Sequence, residues 1–174
     1  RHIKESHVLL ARALGAMGAI SIGGMYGVLF EEGNAASWTV SIVGFVRDVV
    51  TQLRRGLTGF WVAHPDFVRI GIALVEAFRR HERDPADDTL ERLVISLVTD
   101  DDERTRLLAF LAAEDVPALD RDHPNYPRAV LAADLDSSPV IANDDPEEVR
   151  YNVFQALQYL ADWLRGNGCV ALPA

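Results

Sequence analysis

The chain has 174 residues, 49% apolar and 25% charged, enough for one domain with a hydrophobic core and unlike a disordered segment. Its formal net charge of −9 argues against nucleic acid and against an anionic membrane surface as partners, since both require a lysine and arginine face. A single cysteine, Cys169, excludes an internal disulfide and a cysteine zinc cluster and fits a reducing compartment, most simply the cytoplasm. Acid is concentrated between Asp84 and Asp145, whereas Arg47 to Arg55 is locally basic, so a phosphate-bearing cofactor still has a positive patch to meet.

The chain opens on Arg1 rather than methionine, which is expected of a piece processed or excised from something longer. Ile3, Leu10 and Leu14, interspersed with Lys4, Glu5 and Arg12, predict a short first helix. The uncharged stretch from Gly15 to Phe30 is too short and too glycine-broken to span a membrane. It reads instead as a buried strand, Ala19 to Ile22, between glycine-rich turns. Helix followed by short strand is an α/β pattern, and nothing after it repeats it.

Ser37 is the predicted cap of a helix from Trp38 to Arg55, with Val43, Val46, Val50 and Leu53 on one face and Gly56 as its stop. Its β-branched residues leave a strand open for the first half. Pro65, at a first helical position, starts a helix to Glu82 that carries Phe67, Ile70, Leu74, Val75 and Phe78 inward. Asp84-Pro85 opens another amphipathic segment with Leu90, Leu93, Val94 and Leu97. Asp100 to Glu103 is an acidic cap ahead of Leu107, Leu108 and Leu111. Pro117, Pro124, Pro127 and Pro139 leave room only for a short helix around Ala129 to Asp134. The last helix has Asp145 as cap, Pro146 in its first turn and Gly166 as its stop, with Val149, Val153, Leu157, Leu160 and Leu164 as a buried stripe. The expected fold class is therefore mainly α, with a short α/β edge at the N-terminus.

Two segments bear on chemistry. Gly59-Phe60-Trp61-Val62-Ala63-His64-Pro65 precedes a helix whose N-terminus offers N–H groups to a polar or anionic ligand edge, with Trp61 as a flat face for a heterocycle. A core tryptophan beside a proline-started helix is the alternative. Gly166-Asn167-Gly168-Cys169-Val170 reads as a glycine helix stop followed by a small thiol, and no histidine adjoins Cys169 to activate it. His2, His7, His64, His81 and His123 lack metal-ligand spacing. No phosphate-loop glycine pattern and no Gly-x-Ser-x-Gly nucleophile elbow is present. Read alone, these residues give a soluble, mainly helical domain and no reaction.

In order along the chain, however, Gly23, Gly24 and Met25, then Gly56, Gly59 and Trp61 to Pro65, then Gln158, Tyr159, Trp163, Leu164 and Gly166 to Val170 resemble the malate synthase family. The resemblance covers nearly the whole chain, and its last block is the most specific. It implies a TIM barrel ending within residues 1–36 and a helical C-terminal domain over 37–174, with Ala19 to Met25 as the last barrel strand. The implied activity is the magnesium-dependent condensation of acetyl-CoA with glyoxylate and water, giving malate and CoA in the glyoxylate cycle. An aspartate base removes a methyl proton, and the enolate carbon adds to the glyoxylate carbonyl. Magnesium and an arginine stabilise the developing charge. The resemblance places Met25 at the acetyl-CoA pocket, Trp61 and Pro65 against the adenine or pantetheine arm of CoA, and Cys169 near the active site without a nucleophilic role.

It also implies that the metal ligands and the arginine lie on earlier strands, and that the base follows Ala174 in a Met-Glu-Asp segment, so that this chain alone is expected to be inactive. Val49 stands where the family has lysine, Phe60 where it has threonine, and Ala171 where it has proline, which points to a divergent branch. The competing expectation is a non-catalytic helical binding or regulatory module related to acyl-CoA condensing enzymes.

Overall fold

The computed structural model describes residues 2–117, 122, 124, 126 and 146–167. Along the chain these form α1 (His2–Ala16), β1 (Ile22–Tyr26), α2 (Ala35–Arg54), β2 (Gly59–Val62), α3 (Asp66–Arg83), α4 (Thr89–Leu97), α5 (Asp101–Ala112) and α6 (Pro146–Leu164). The expected mainly helical class holds, with a two-stranded sheet as its α/β part.

That sheet departs from the sequence reading in two ways. The strand lies at Ile22–Tyr26 rather than Ala19 to Ile22, and a second strand, Gly59–Val62, pairs with it in parallel. The α/β pattern is therefore repeated after α2, and β1–α2–β2 is one crossover unit that straddles the expected boundary at residue 36. The Gly-Phe-Trp-Val run was read only as the approach to a helix, although its aromatic and β-branched residues suit a strand. Ser21 anchors the strand entrance: its N–H donates to Thr58 Oγ1 (3.0 Å), and its carbonyl accepts from Thr58 N–H (2.9 Å).

Two of the glycines in this unit have steric reasons. A Cβ on Gly23 would sit 1.8 Å from Gln52 Oε1, and one on Gly44 would sit 1.8 Å from the Tyr26 hydroxyl. α2 can thus lie close on β1 only because each partner omits a side chain where the other inserts one.

α2 begins at Ala35, earlier than expected, because Asn34 is the cap: its side-chain oxygen accepts from Ser37 N–H at 3.1 Å. Ser37 instead accepts from Glu31 N–H at 2.9 Å and is buried. The expected inward face of Val43, Val46, Val50 and Leu53 is buried as read, together with Ile42, Phe45 and Val49. Val49 is fully enclosed, which gives a physical reason for an apolar residue there.

α2 packs on both strands, on α3 and on α5, and α4 completes the body against α3 and α5. Phe45 stacks on Phe67 (4.6 Å, 21°) and meets Phe60 edge-on (5.9 Å), which ties α2, α3 and β2 together. Leu74, Val94, Val98 and Leu107 close the core. Each such buried side chain contributes about 1.5–3 kcal/mol. α3 starts at Asp66 with Pro65 as its cap residue, and α4 starts at Thr89 after Asp88 rather than at Pro85. Asp100 caps α5 as expected, accepting from Glu103 N–H at 2.9 Å. Arg54 closes the far end of α5 by donating to the carbonyls of Phe110 and Leu111.

α6 has the expected helical extent, and Gly166 ends it in the left-handed region at φ 82°. Its stripe is not buried, however: Val149, Val153, Leu157, Leu160 and Leu164 are between 42% and 76% exposed. The physical reason is that α6 has no extensive packing partner among the described elements. Likewise the strand expected to be buried shows Ile22 and Met25 to the outside, since no further described strand or helix covers that face. Asp145 and the short helix expected around Ala129 to Asp134 lie outside the described residues.

Candidate functional site

The parallel register brings together two of the residues singled out from sequence. Met25 is directly paired with Trp61, and the following pair is Tyr26 with Val62. Met25 is 56% and Trp61 64% exposed, so a flexible thioether and a flat indole stand side by side near the C-terminal ends of two parallel strands. Side chains alternate along a strand, and Phe60 and Val62 pack toward the core while Trp61 faces away from it. Within this chain Trp61 is not part of the core.

β2 leads into His64 and Pro65 at the start of α3. The ring of His64 meets Phe30 edge-on at 5.5 Å, and Phe30 in turn meets Trp38 at 4.9 Å. Here the geometry corrects one expectation. The first donors of α3 are already used: Asp66 N–H donates to His64 Nδ1 (3.3 Å), Phe67 N–H to His64 O (3.1 Å) and Val68 N–H to Pro65 O (3.0 Å). Asp66 adds a carboxylate 3.6 Å from the same imidazole nitrogen. The α3 start is thus an internally satisfied turn with an acid in it, poorly suited to an anion. What Pro65 offers is an apolar surface. Cys169 lies outside the described residues.

Behind β1 sits a polar pair that sequence reading missed. Gln52 donates from Nε2 to Asp48 Oδ2 (2.7 Å) and, at 3.5 Å, to the carbonyl of Gly24, while its buried Oε1 has no hydrogen-bond partner. Burial, reinforced by the Asp48 charge, pushes the Tyr26 hydroxyl above its ordinary value. Tyr26 therefore stays a neutral phenol, and the Asp48–Gln52 pair fixes the backbone of the Gly23-Gly24 segment that carries Met25. The helical i, i+4 spacing of Asp48 and Gln52 was visible, but their aim at a strand carbonyl was not.

A groove of about 350 Å³ lies on the other side of β2, lined by Phe60, Val62, Val68, Ile72 and Val75, with Arg79 at one end. It does not include Met25, Trp61 or Pro65. This groove and the motif-bearing face are therefore distinct.

Among the described residues no three histidine, cysteine, aspartate or glutamate side chains come together as a metal site. No described helix is long and apolar enough to cross a membrane. No family model, no curated protein and no solved structure matches this chain.

Proposed function

We propose that this chain is part of a malate synthase-type enzyme and supplies the wall against which the CoA portion of acetyl-CoA lies. One observation supports the reading above others: the Gly-Gly-Met and Gly-Phe-Trp-Val segments, far apart in sequence, are neighbouring parallel strands with Met25 and Trp61 paired and exposed. Ligand contacts in parallel α/β folds gather at the C-terminal ends of strands, which is where this pair sits. Parallel sheets are ordinarily covered on both faces, so a parallel pair with outward Ile22, Met25 and Trp61 suits the closing portion of a larger barrel. On this reading the barrel extends past residue 36 to include β2.

Each residue then has a physical task. Trp61 offers its ring to the adenine or the pantetheine amides. Met25 adapts to the thioester arm. Pro65 provides a rigid apolar edge where α3 begins, and Asp48 with Gln52 holds the Met25 backbone in place. Glyoxylate and magnesium, which in this reading supplies Lewis-acid stabilisation of the enolate, are assigned to residues other than those described. The methyl-proton base is assigned likewise.

The test is catalytic. The complete gene product, given acetyl-CoA, magnesium and glyoxylate, should release free CoA thiol and form malate, with no thiol release when glyoxylate is omitted. Thiol release independent of any 2-oxo acid, or none under any condition, would contradict the assignment.

A further inference from the structure

The attachment of α1 is unusual for a helix with so many leucines. Ile3, Leu9 and Leu10 are exposed, whereas Glu5 is only 2% exposed and accepts from the Tyr126 hydroxyl at 3.2 Å. α1 has no extensive packing partner among the described elements. Several of its polar contacts to the body converge on one place. Lys4 Nζ lies 3.5 Å from Asp115 Oδ2 and also donates to the carbonyl of Val116. Asp115 takes a two-pronged contact from Arg55, Nε to Oδ2 at 3.0 Å and Nη2 to Oδ1 at 3.2 Å. The remaining nitrogen of that guanidinium, Nη1, faces His7 Nδ1 at 3.5 Å.

This last contact has a chemical condition. Nη1 can only donate, so Nδ1 must present its lone pair, and the imidazole must be neutral with its proton on Nε2. Protonation turns the acceptor into a second donor and sets two cations against each other. We propose that α1 is held to the α2–α5 body by a pH-gated polar clasp, in which neutral His7 seated on Arg55 fastens the helix and protonated His7 loosens it.

The charges around His7 support the sign. It faces Asp48 of α2, Arg55 at the C-terminal cap of α2 and Asp115 from the segment after α5; Lys4 and Glu5 are the neighbouring charges in sequence on α1, paired with Asp115 and Tyr126. Burial first, and then Arg55, lower the imidazole from its ordinary 6.5, against the opposing pull of Asp48 and Asp115. A group whose folded value is depressed below its free value favours the deprotonated docked state. Docking is therefore at full strength above 6.5 and weakens as pH falls from there toward the lower folded value. Asp115, held down to about 2, keeps its charge throughout that window and is not the group that switches.

The experiment is hydrogen exchange on the 174-residue chain, with protection factors corrected for intrinsic rates, between about pH 7.5 and about pH 5.5. The α1 amides should lose protection several-fold over this range while the amides of α2 keep theirs, and His7→Gln, which cannot gain a proton, should abolish the pH dependence. Constant α1 protection in the wild type, or an equal loss in the His7→Gln chain, overturns the proposal. Should that variant fail to fold, the His7 ring titration followed by NMR decides. A midpoint below 6.5 that coincides with the α1 loss supports the clasp, and one at or above 6.5 refutes it.

Discussion

Gly23 and Gln52 show how a motif residue is fixed by a residue outside the motif. The strand glycine looked like a family signature, but its local cause is the Gln52 amide occupying the space a Cβ would need. Gly23→Ala should therefore cost about 1–3 kcal/mol by overpacking. In the Gln52→Ala background, where the obstructing amide is gone, the same change should cost much less. Denaturant unfolding of the two singles and the double measures the coupling, and simple additivity would contradict the contact.

At Asp115, hydrogen bonding from Arg55 lowers the carboxyl from 3.8 to about 2. The folded value is depressed, so the stabilisation is present above the unfolded value and is lost as pH falls through about 2. Asp115→Asn should lower stability at neutral pH and flatten the acid limb between those values, as read by chemical unfolding at stepped pH. A wild-type-like acid limb would argue against the Arg55 contact. Met25, Trp61 and Pro65 were singled out by their motifs. Asp48, Gln52 and the His7–Arg55–Asp115 group were not, because their partners lie across elements whose packing no periodicity reveals.

Among the elements, the helices from Ala35 to Ala112 were read with the right inward faces because their apolar residues recur at the helical period. Starts were less legible where several cap-forming residues crowd together. Asn34 and Ser37 both favour a cap, and the nearer asparagine takes the helix while the serine turns back to Glu31. Asn34→Ala should cost about 1 kcal/mol of stability, and Ser37→Ala should not shorten α2. Helical chemical shifts at Ala35 and Ala36 in the serine variant check this.

β2 was missed because a four-residue strand carries too little alternation to declare itself, and only its parallel partner gives it meaning. α6 is the converse case: helix, start and glycine stop were all read from sequence, but burial was inferred from periodicity alone. A periodic stripe states which face can be covered, not that it is. In the isolated chain the α6 amides should exchange far faster than those of α2, and equal protection would mean that a partner surface for α6 exists within the chain.

At the scale of the molecule, a well-packed body of α2, α3, α4 and α5 carries a parallel strand pair whose outer face holds Ile22, Met25 and Trp61. Body and face differ: the body buries most of its large apolar residues, whereas the strand face presents three side by side. That contrast gives the CoA-wall reading its physical content, because an apolar and aromatic strand face is costly to leave in water and useful only when something lies on it. The central claim is that Trp61 contacts the CoA portion and takes no part in the chemistry.

The direct measurement is the steady-state kinetics of glyoxylate-dependent CoA release by the complete gene product and its Trp61→Ala variant. The account predicts a KM for acetyl-CoA raised about tenfold or more, the KM for glyoxylate unchanged, and kcat within a few-fold of wild type, because the loss falls on uniform cofactor binding. An unchanged KM for acetyl-CoA, or a loss confined to kcat, would contradict it.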